Sequence, residues 1–386
     1  MSRYCIIGTG RQGTAALFDI IKFANPTKIL LIDSHQESLD NCINKIDNAI
    51  NHDIPIESYL VDLSNENQIV KLLKTYDIML SSVPYFYNLE LTKIAIKSKT
   101  SMVDLGGHTE NVIKQLKYHQ EAIDVGISIV PDCGMGPGMN ITMALLAMEQ
   151  LDDPRDVYIW DGGLPKNPKP PWNYSLFFNI NGLTNEYDTN AYFIRKGKIA
   201  EIECFEDIEN IYFDQVGDLE AAVTCGGLST MPWTYKGVLN TLENKTLRYK
   251  GHWDEMKAYR QLGLFKNENI KLNDTKVNIR EFYHHLLEKQ ITSDDKHDIC
   301  FMRTLAKGIK DNKETSYQCD VVEEYDDKTG FMAMEKWTGW HASIVMQKMI
   351  DGTINKGAYP IEKALTGKVF YNEAIKRGYN IRIKEV

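Results

Sequence analysis

The chain reads as an α/β protein in two parts: a doubly wound parallel sheet first, then an inserted α+β portion with a mainly antiparallel sheet. Three observations predict this. An apolar run of strand type, Tyr4 to Ile7, ends in Gly8-Thr9-Gly10-Arg11-Gln12-Gly13, and a helical pattern carrying Ala15, Ala16, Leu17, Ile20 and Ile21 follows at once. Strand and helix patterns then alternate with short turns as far as Val130, as parallel strands joined by crossovers do. From about Val157 short alternating runs and turns replace that rhythm, which suits antiparallel strands.

In the glycine stretch, Gly8 permits a tight turn, Gly10 admits a pyrophosphate against the backbone, and Gly13 lets helix and strand pack closely. This is the Rossmann dinucleotide fingerprint, with Arg11 and Gln12 inside the loop and phosphates expected on the N–H groups of the helix start. A second apolar run, Lys28 to Ile32, ends in Asp33. An acidic side chain there can hold a ribose 2′-hydroxyl and would repel a 2′-phosphate, so NAD is expected rather than NADP. Gln36 to Ile50 has helical spacing. Ser58 to Val61 reads as a third strand ending in Asp62, whose carboxylate either lies near an adenine or caps a helix starting near Asn65. Ile78 to Ser81 is a fourth strand running into Ser82-Val83-Pro84, small and rigid residues at the strand end where a cofactor is expected to lie. Leu89 to Lys97 follows as a helix, then a fifth strand, Ser101 to Asp104, and Leu105-Gly106-Gly107-His108. Thr109 is the expected cap of a helix running to about Val125, and Ile127 to Val130 is a sixth strand.

A second glycine-rich turn, Pro131-Asp132-Cys133-Gly134-Met135-Gly136-Pro137-Gly138, precedes a helical stretch from Ile141 to Leu151. It is either a cradle at a helix start for a carboxylate or the nicotinamide end of a cofactor, Gly134 included, or a linker between domains. Beyond it, Ser175 to Ile180, Ala191 to Ile194, Ala200 to Glu203, Leu219 to Thr224, Lys245 to Tyr249, Cys300 to Ile309 and Tyr317 to Tyr325 read as strands. Lys196-Gly197-Lys198 makes a hairpin turn, and Asp254 to Leu262 a helix. In the strand Lys245 to Tyr249, Thr246 and Arg248 share one face and Leu247 and Tyr249 the other. Lys169 to Tyr174 is a stiff aromatic loop that lines a pocket through Trp172 and Asn173 or lies on the surface. Thr338-Gly339-Trp340 leads into a helix to about Ile350 that should pack back on the first part. Residues 1–135 and 337–386 are therefore expected to form a discontinuous nucleotide-binding domain, and 136–336 the second domain.

The 386 residues carry a net charge of −9 without any basic block, which argues against nucleic acid and membrane surfaces as partners. The seven cysteines are scattered, with no metal-ligand spacing, and no metal is expected. No apolar run reaches membrane-spanning length and the first strand begins at once, so a reduced, cytoplasmic protein is expected.

Several of these segments together resemble the saccharopine dehydrogenase family over nearly the whole chain. The carrying residues are Gly8 to Gly13, Val103-Asp104-Leu105-Gly106-Gly107, Asp132 to Met139, Asp161-Gly162-Gly163-Leu164-Pro165, Cys225-Gly226-Gly227-Leu228-Ser229-Thr230, Lys245 to His252, and Thr338-Gly339. The resemblance implies an NAD-dependent, homodimeric oxidoreductase, its second domain binding an amino-acid substrate and dimerising. Within the family it is most similar to members that oxidise the side-chain amine of free lysine, releasing ammonia and a semialdehyde that cyclises. Asp104 and His252 are then the candidates for proton handling. Arg248 would clamp the substrate carboxylate by its bidentate fork, with Tyr249, Trp172 and Asn173 beside it. Two other readings stay open: a saccharopine dehydrogenase acting on a secondary amine, and a regulator that binds NAD without turnover.

Overall fold

In the computed structural model, which describes residues 2–386, the first part contains β1 (Arg3–Ile7), β2 (Lys28–Asp33), β3 (Ile56–Leu60), β4 (Ile78–Ser81), β5 (Ser101–Asp104) and β6 (Ser128–Val130), each followed by a helix. The second part contributes β7 (Asp153–Pro165), β8 (Asn190–Arg195), β9 (Lys198–Glu203), β10 (Glu209–Phe213), β11 (Gly217–Val223) and β12 (Thr241–Arg248). It continues with β13 (Asn269–Leu272), β14 (Thr275–Asn278), β15 (Asp298–Lys310) and β16 (Lys313–Glu324), and the tail adds β17 (Gly357–Ala358) and β18 (Arg382–Glu385).

The first sheet has seven parallel strands in the order β17-β6-β5-β4-β1-β2-β3. Strand order reverses between β1 and β4, which opens a crevice beyond their carboxyl ends, the usual ligand site of such sheets. The interior strands are buried along their length because helices cover both faces, whereas the edge strand β3 is largely exposed. The second sheet has nine strands, with the path β10-β11-β12-β7-β15-β16-β18 and with β8 and β9 extending from β12. Only β12 and β7 run parallel in it. Its β8–β9 turn is made by Lys196 and Gly197, both at positive φ (53° and 72°), the pairing that matches strand twist. Strands β13 and β14 form a separate hairpin.

Four local readings are corrected. Ser175 to Ile180 forms no strand; it leads into the Ile180–Tyr187 helix, capped by the Asn179 side chain accepting from the Asn181 N–H at 2.8 Å. The helix expected from Thr109 to about Val125 is two, Thr109–Leu116 and His119–Val125, and the first is capped by the His108 ring rather than by Thr109. The tail helix begins at Ala333, so Thr338 and Gly339 lie inside it. Strand β18 pairs with β16 in the second sheet, so the last residues leave the nucleotide-binding part expected for 337–386.

The Ala333–Ile350 helix packs against the Arg11–Asp19 helix at closest approach through Gly339. A Cβ on Gly339 would lie 2.6 Å from the Ala16 nitrogen and 2.7 Å from the Gln12 carbonyl. A buried ion cluster secures the same helix from the tail: Arg377 spans both Asp19 oxygens at 2.7 and 3.0 Å and reaches Glu373 at 3.0 Å. Burial raises the Asp19 pKa, with Arg377 pulling the other way. Arg377→Met should therefore cost about 3–5 kcal/mol in urea unfolding, by leaving Asp19 buried and uncompensated. Adding Asp19→Leu should restore much of that loss, and a single variant as stable as wild type would show that the cluster contributes nothing.

Candidate functional site

The crevice begins at the glycine loop, where each glycine has its own reason. Gly8 has φ +94°, and a Cβ there would lie 2.8 Å from Val83 Cγ1 and 2.9 Å from the Ser82 backbone. On Gly13 a Cβ would fall 2.1 Å from the Gly8 carbonyl, so strand and helix could not close. Gly10, by contrast, faces open space, with nothing within 4 Å of its Cβ position. It is the N-cap of the Arg11–Asp19 helix and supplies no side-chain cap, so the first-turn N–H groups point outward. Space plus free donors at a helix start fit a dinucleotide pyrophosphate. Arg11 reaches across to the Phe177 carbonyl at 3.3 Å, and Gln12 Oε1 is buried without a partner. At the end of β2, Asp33 Oδ2 accepts from the Thr9 N–H at 2.7 Å and the Thr9 hydroxyl at 3.0 Å, and Oδ1 from the His35 N–H at 3.0 Å. Asp62 accepts from the Ser64 N–H at 2.8 Å in an exposed turn, while Asn65 caps the next helix. Ser82 donates to the Gly8 carbonyl, and Pro84 opens the turn that stacks Tyr85 on His108, ring centroids 5.1 Å apart.

Asp104, at the end of β5, is fully buried and spends its carboxylate internally. Oδ1 accepts from the Gly106 and Asp132 N–H groups at 2.9 and 3.1 Å, and Oδ2 from Gln115 at 2.7 Å. It thus ties the two glycine loops to each other, a positioning task, and presents no oxygen to the crevice. Gly106, at φ +76°, and Gly134 line these loops; a Cβ on Gly134 would crowd the Leu105 carbonyl at 2.9 Å.

The facing wall comes from the second part. Asn185 donates to the Gly107 carbonyl at 2.9 Å, Asn140 to the Gly227 carbonyl at 2.8 Å, and Ser229 to Asp132 Oδ2. Arg248 lies where the alternation of β12 puts it, opposite Leu247 and Tyr249, and is almost wholly buried. Its Nε donates to the Tyr187 hydroxyl at 2.9 Å, Nη1 to the Leu247 carbonyl at 2.9 Å, and Nη2 stands 3.6 Å from Glu186. Its guanidinium lies 5.1 Å from the Tyr174 ring centre. Tyr249 is on the other face, donating to the Pro165 carbonyl, which removes it from this wall. Trp172 packs toward Tyr259 and Asn173 makes a left-handed turn, so the aromatic loop meets Arg248 through Tyr174 instead. His252 is not at a strand end: it starts the His252–Leu262 helix, buried, with Nε2 2.9 Å from the Tyr187 hydroxyl. Burial and the Arg248 charge hold it neutral, far below the usual imidazole range.

Three acids lie at these contacts: Asp161 and Glu186 by Arg248, and Asp132 on the first part, bonded by Ser229. Burial raises Asp161 to about 6, against an Asn244 hydrogen bond of 2.6 Å and the Arg248 charge. Desolvation raises Glu186 to about 7, against Arg248 and with help from Asp161. Asp132 goes up to about 8, mainly by burial and then by the Asp104 charge. Desolvated acids with raised proton affinity make this region a candidate functional site. Sequence reasoning assigned none of the three. Asp132 and Asp161 stood inside glycine motifs that were read for their glycines; Glu186 carried no signal, because its stretch did not read as a helix.

Two family models match the chain: the saccharopine dehydrogenase NADP binding domain over residues 4–130 and the saccharopine dehydrogenase C-terminal domain over residues 134–378. Rat mitochondrial alpha-aminoadipic semialdehyde synthase is 26% identical over 216 residues, covering 53% of this chain and 23% of the relative. The NADP(+), L-glutamate-forming saccharopine dehydrogenase of Saccharomyces cerevisiae is 23% identical over 224 residues, 54% of this chain and 48% of the relative. The chain thus spans less than half the length of these relatives. The solved apo saccharopine dehydrogenase (L-Glu forming) from Saccharomyces cerevisiae superposes over 100% of both chains with a TM-score of 0.79 at 15% identity, a likeness of fold.

Two substitutions separate packing from binding in the glycine loop. Gly13→Ala should lower the melting temperature, since the new methyl meets backbone at 2.1 Å. Gly10→Val should leave the melt near wild type but weaken dinucleotide binding by about tenfold or more, because it fills the space a pyrophosphate needs. Calorimetric titration with unchanged affinity in the Gly10 variant would remove this loop from the cofactor site.

Proposed function

The chain belongs to the saccharopine dehydrogenase family, and on that premise we propose that it is an NAD-dependent lysine 6-dehydrogenase. It oxidises the carbon bearing the side-chain amine of L-lysine, and water then releases ammonia and a semialdehyde that cyclises to piperideine carboxylate. The observation that carries this reading is the charge balance of the wall. One guanidinium, Arg248, stands by two carboxyl groups, Glu186 and Asp161, and a third, Asp132, is bonded to the same part of the chain through Ser229. Lysine brings one carboxylate and two ammonium groups, which this set matches. Saccharopine brings three carboxylates, for which the wall supplies too little positive charge and too much negative.

The dinucleotide would be held by Gly8, Gly10, Arg11, Gln12 and Gly13 at the phosphates, Asp33 at the ribose, and Ser82, Val83, Pro84, Gly106 and Gly134 toward the nicotinamide. When bound, it supplies the two-electron acceptor for a hydride. Asp62 would meet the adenine edge from its exposed turn. The chain's own residues bind and orient: Arg248 holds the α-carboxylate, fixed by the Tyr187 hydroxyl and the Tyr174 face, and Glu186 or Asp161 takes the α-ammonium. His252 is neutral, so it serves Tyr187 as a hydrogen-bond partner and adds no charge beside Arg248. NAD is favoured by Asp33, because the residues after it, Ser34-His35-Gln36, offer no arginine to a 2′-phosphate. The protein is further proposed to work in the cytoplasm as a homodimer. The rival reading, a saccharopine dehydrogenase using NADP, is favoured by the names of the relatives and of the first family model. An amino-acid panel assayed for NADH and NADPH formation decides between them: lysine with NAD should be the active pair.

Two variants sharpen the test. Asp33→Ser with Ser34→Arg should move preference toward NADP; an unchanged ratio of kcat/KM for the two cofactors would take Asp33 off the ribose. Arg248→Ala should lose about 2–5 kcal/mol of transition-state binding for lysine, with only partial rescue by lysine at that position. The decarboxylated diamine should be a poor substrate of wild type and insensitive to the change. Equal losses on both substrates would mean that Arg248 only braces Glu186 and Tyr187.

A further inference from the structure

Two residues on opposite sides of the crevice share an unusual backbone state. Asp132, after β6, has φ 60°, and Ser229, after β11, has φ 45°; neither is glycine, and such conformations persist where function holds them. They meet side chain to side chain, the Ser229 hydroxyl donating to Asp132 Oδ2. The other oxygen, Oδ1, is buried and has no hydrogen-bond partner. It occupies the space that a side chain at position 106 would take: a Cβ on Gly106 would lie 2.0 Å from it. Asp132 therefore has a free acceptor between the two glycine loops, at the carboxyl end of the sheet, where the neighbouring Asp104 has none.

We propose that Asp132 is the base that takes the proton from the substrate's side-chain ammonium, with Ser229 holding the carboxylate in place until the amine arrives. The inference rests on the amine-oxidation reading. An N–H bond of the ammonium breaks and an O–H bond forms at Asp132, leaving a neutral amine and a neutral carboxylic acid; no electrons change hands. Only the neutral amine can then release a hydride from its carbon. The groups facing Asp132 set its proton affinity: Asp104 on β5 and Glu362 on the short Ile361–Ala364 helix raise it, while the Ser229 hydroxyl and the Gly107 N–H lower it. Burial and these charges carry it to about 8, so it accepts a proton within the working range of a cell.

The test is the pH profile of kcat/KM for lysine in the full chain, with two variants. Wild type should rise with pH to a plateau with a midpoint of about 8. Asp132→Asn should lose that limb and about 10²–10⁴-fold in rate. Ser229→Ala removes a donor that favours the charged form, so its limb should move to higher pH, a shift that a merely structural contact would not produce. A limb that stays in place in both variants overturns the proposal, and if Asp132→Asn does not fold, Ser229→Ala decides alone. Infrared difference spectra give a reading independent of substrate: beside the bands of Asp161 and Glu186, which titrate lower, a carboxylic-acid band lost near pH 8 should be present in wild type and missing in Asp132→Asn. Wild type without lysine-dependent NADH formation, but with that band, would sink the substrate reading; turnover without the band sinks the base.

Discussion

Everything at the crevice depends on one close crossing, that of the Ala333–Ile350 helix over the Arg11–Asp19 helix. The crossing is possible because position 339 is glycine, and it brings backbone within contact of Gln12 and Ala16, inside the nucleotide loop's own helix. The crossing helix is held at several points. Asp298 of β15 accepts from the Ala333 and Met334 N–H groups, both at 2.8 Å, a carboxylate placed on the positive end of the helix. Glu335 bonds Lys45 and the Met332 N–H. In mid-helix His341 reaches the Cys133 carbonyl at 2.8 Å and the Thr142 hydroxyl at 3.2 Å, linking it to the second glycine loop. Burial lowers that histidine to about 4, so it stays neutral and adds no charge beside the second glycine loop. One helix thus joins the first glycine loop, the second glycine loop and the second sheet.

Within that frame the carboxylates divide their tasks by what surrounds them. Asp104 and Asp298 are satisfied by backbone N–H groups and act as pins. Burial raises the proton affinity of these two and of Asp132, Asp161 and Glu186, Asp298 to about 6 like Asp161; what sets Asp132 apart is its Oδ1, buried without a hydrogen-bond partner. The glycines divide in the same way. Gly162 leaves room for the Leu247 carbonyl, 2.5 Å from its Cβ position, and Gly163 for Met334 and Cys300. The pair in Asp161-Gly162-Gly163 therefore packs β7 against β12 and the crossing helix, and the aspartate is the member that faces the wall.

Much of the first sheet was legible in the chain, because its signals are local. Buried parallel strands are written as apolar runs, and the turn after β1 needs glycine at fixed offsets for reasons of bond geometry and space that hold in any context. The alternation of β12 likewise assigned Arg248 and Tyr249 to opposite faces, though only the fold revealed that this takes Tyr249 off the wall. Weak patterns failed where a short segment is apolar for another reason. Leu176, Phe177 and Phe178 read as strand, yet they pack as loop residues ahead of a helix whose cap, Asn179, looks like any turn asparagine.

By itself the sequence determined the order of strands and helices in the nucleotide-binding half, the roles of its glycines, the acidic residue at the end of β2, and the family. Periodicity, turn chemistry and motif spacing act over a few residues, so they survive without the fold. Which acid is spent and which is free was decided only by tertiary structure. Asp104 and Asp132 sit in similar glycine contexts, and what separates them is hydrogen-bond donors brought from Gln115, Gly106 and Ser229, as far as 97 residues away. Proton affinity depends on burial and on neighbours in space, and neither is written in the neighbours along the chain.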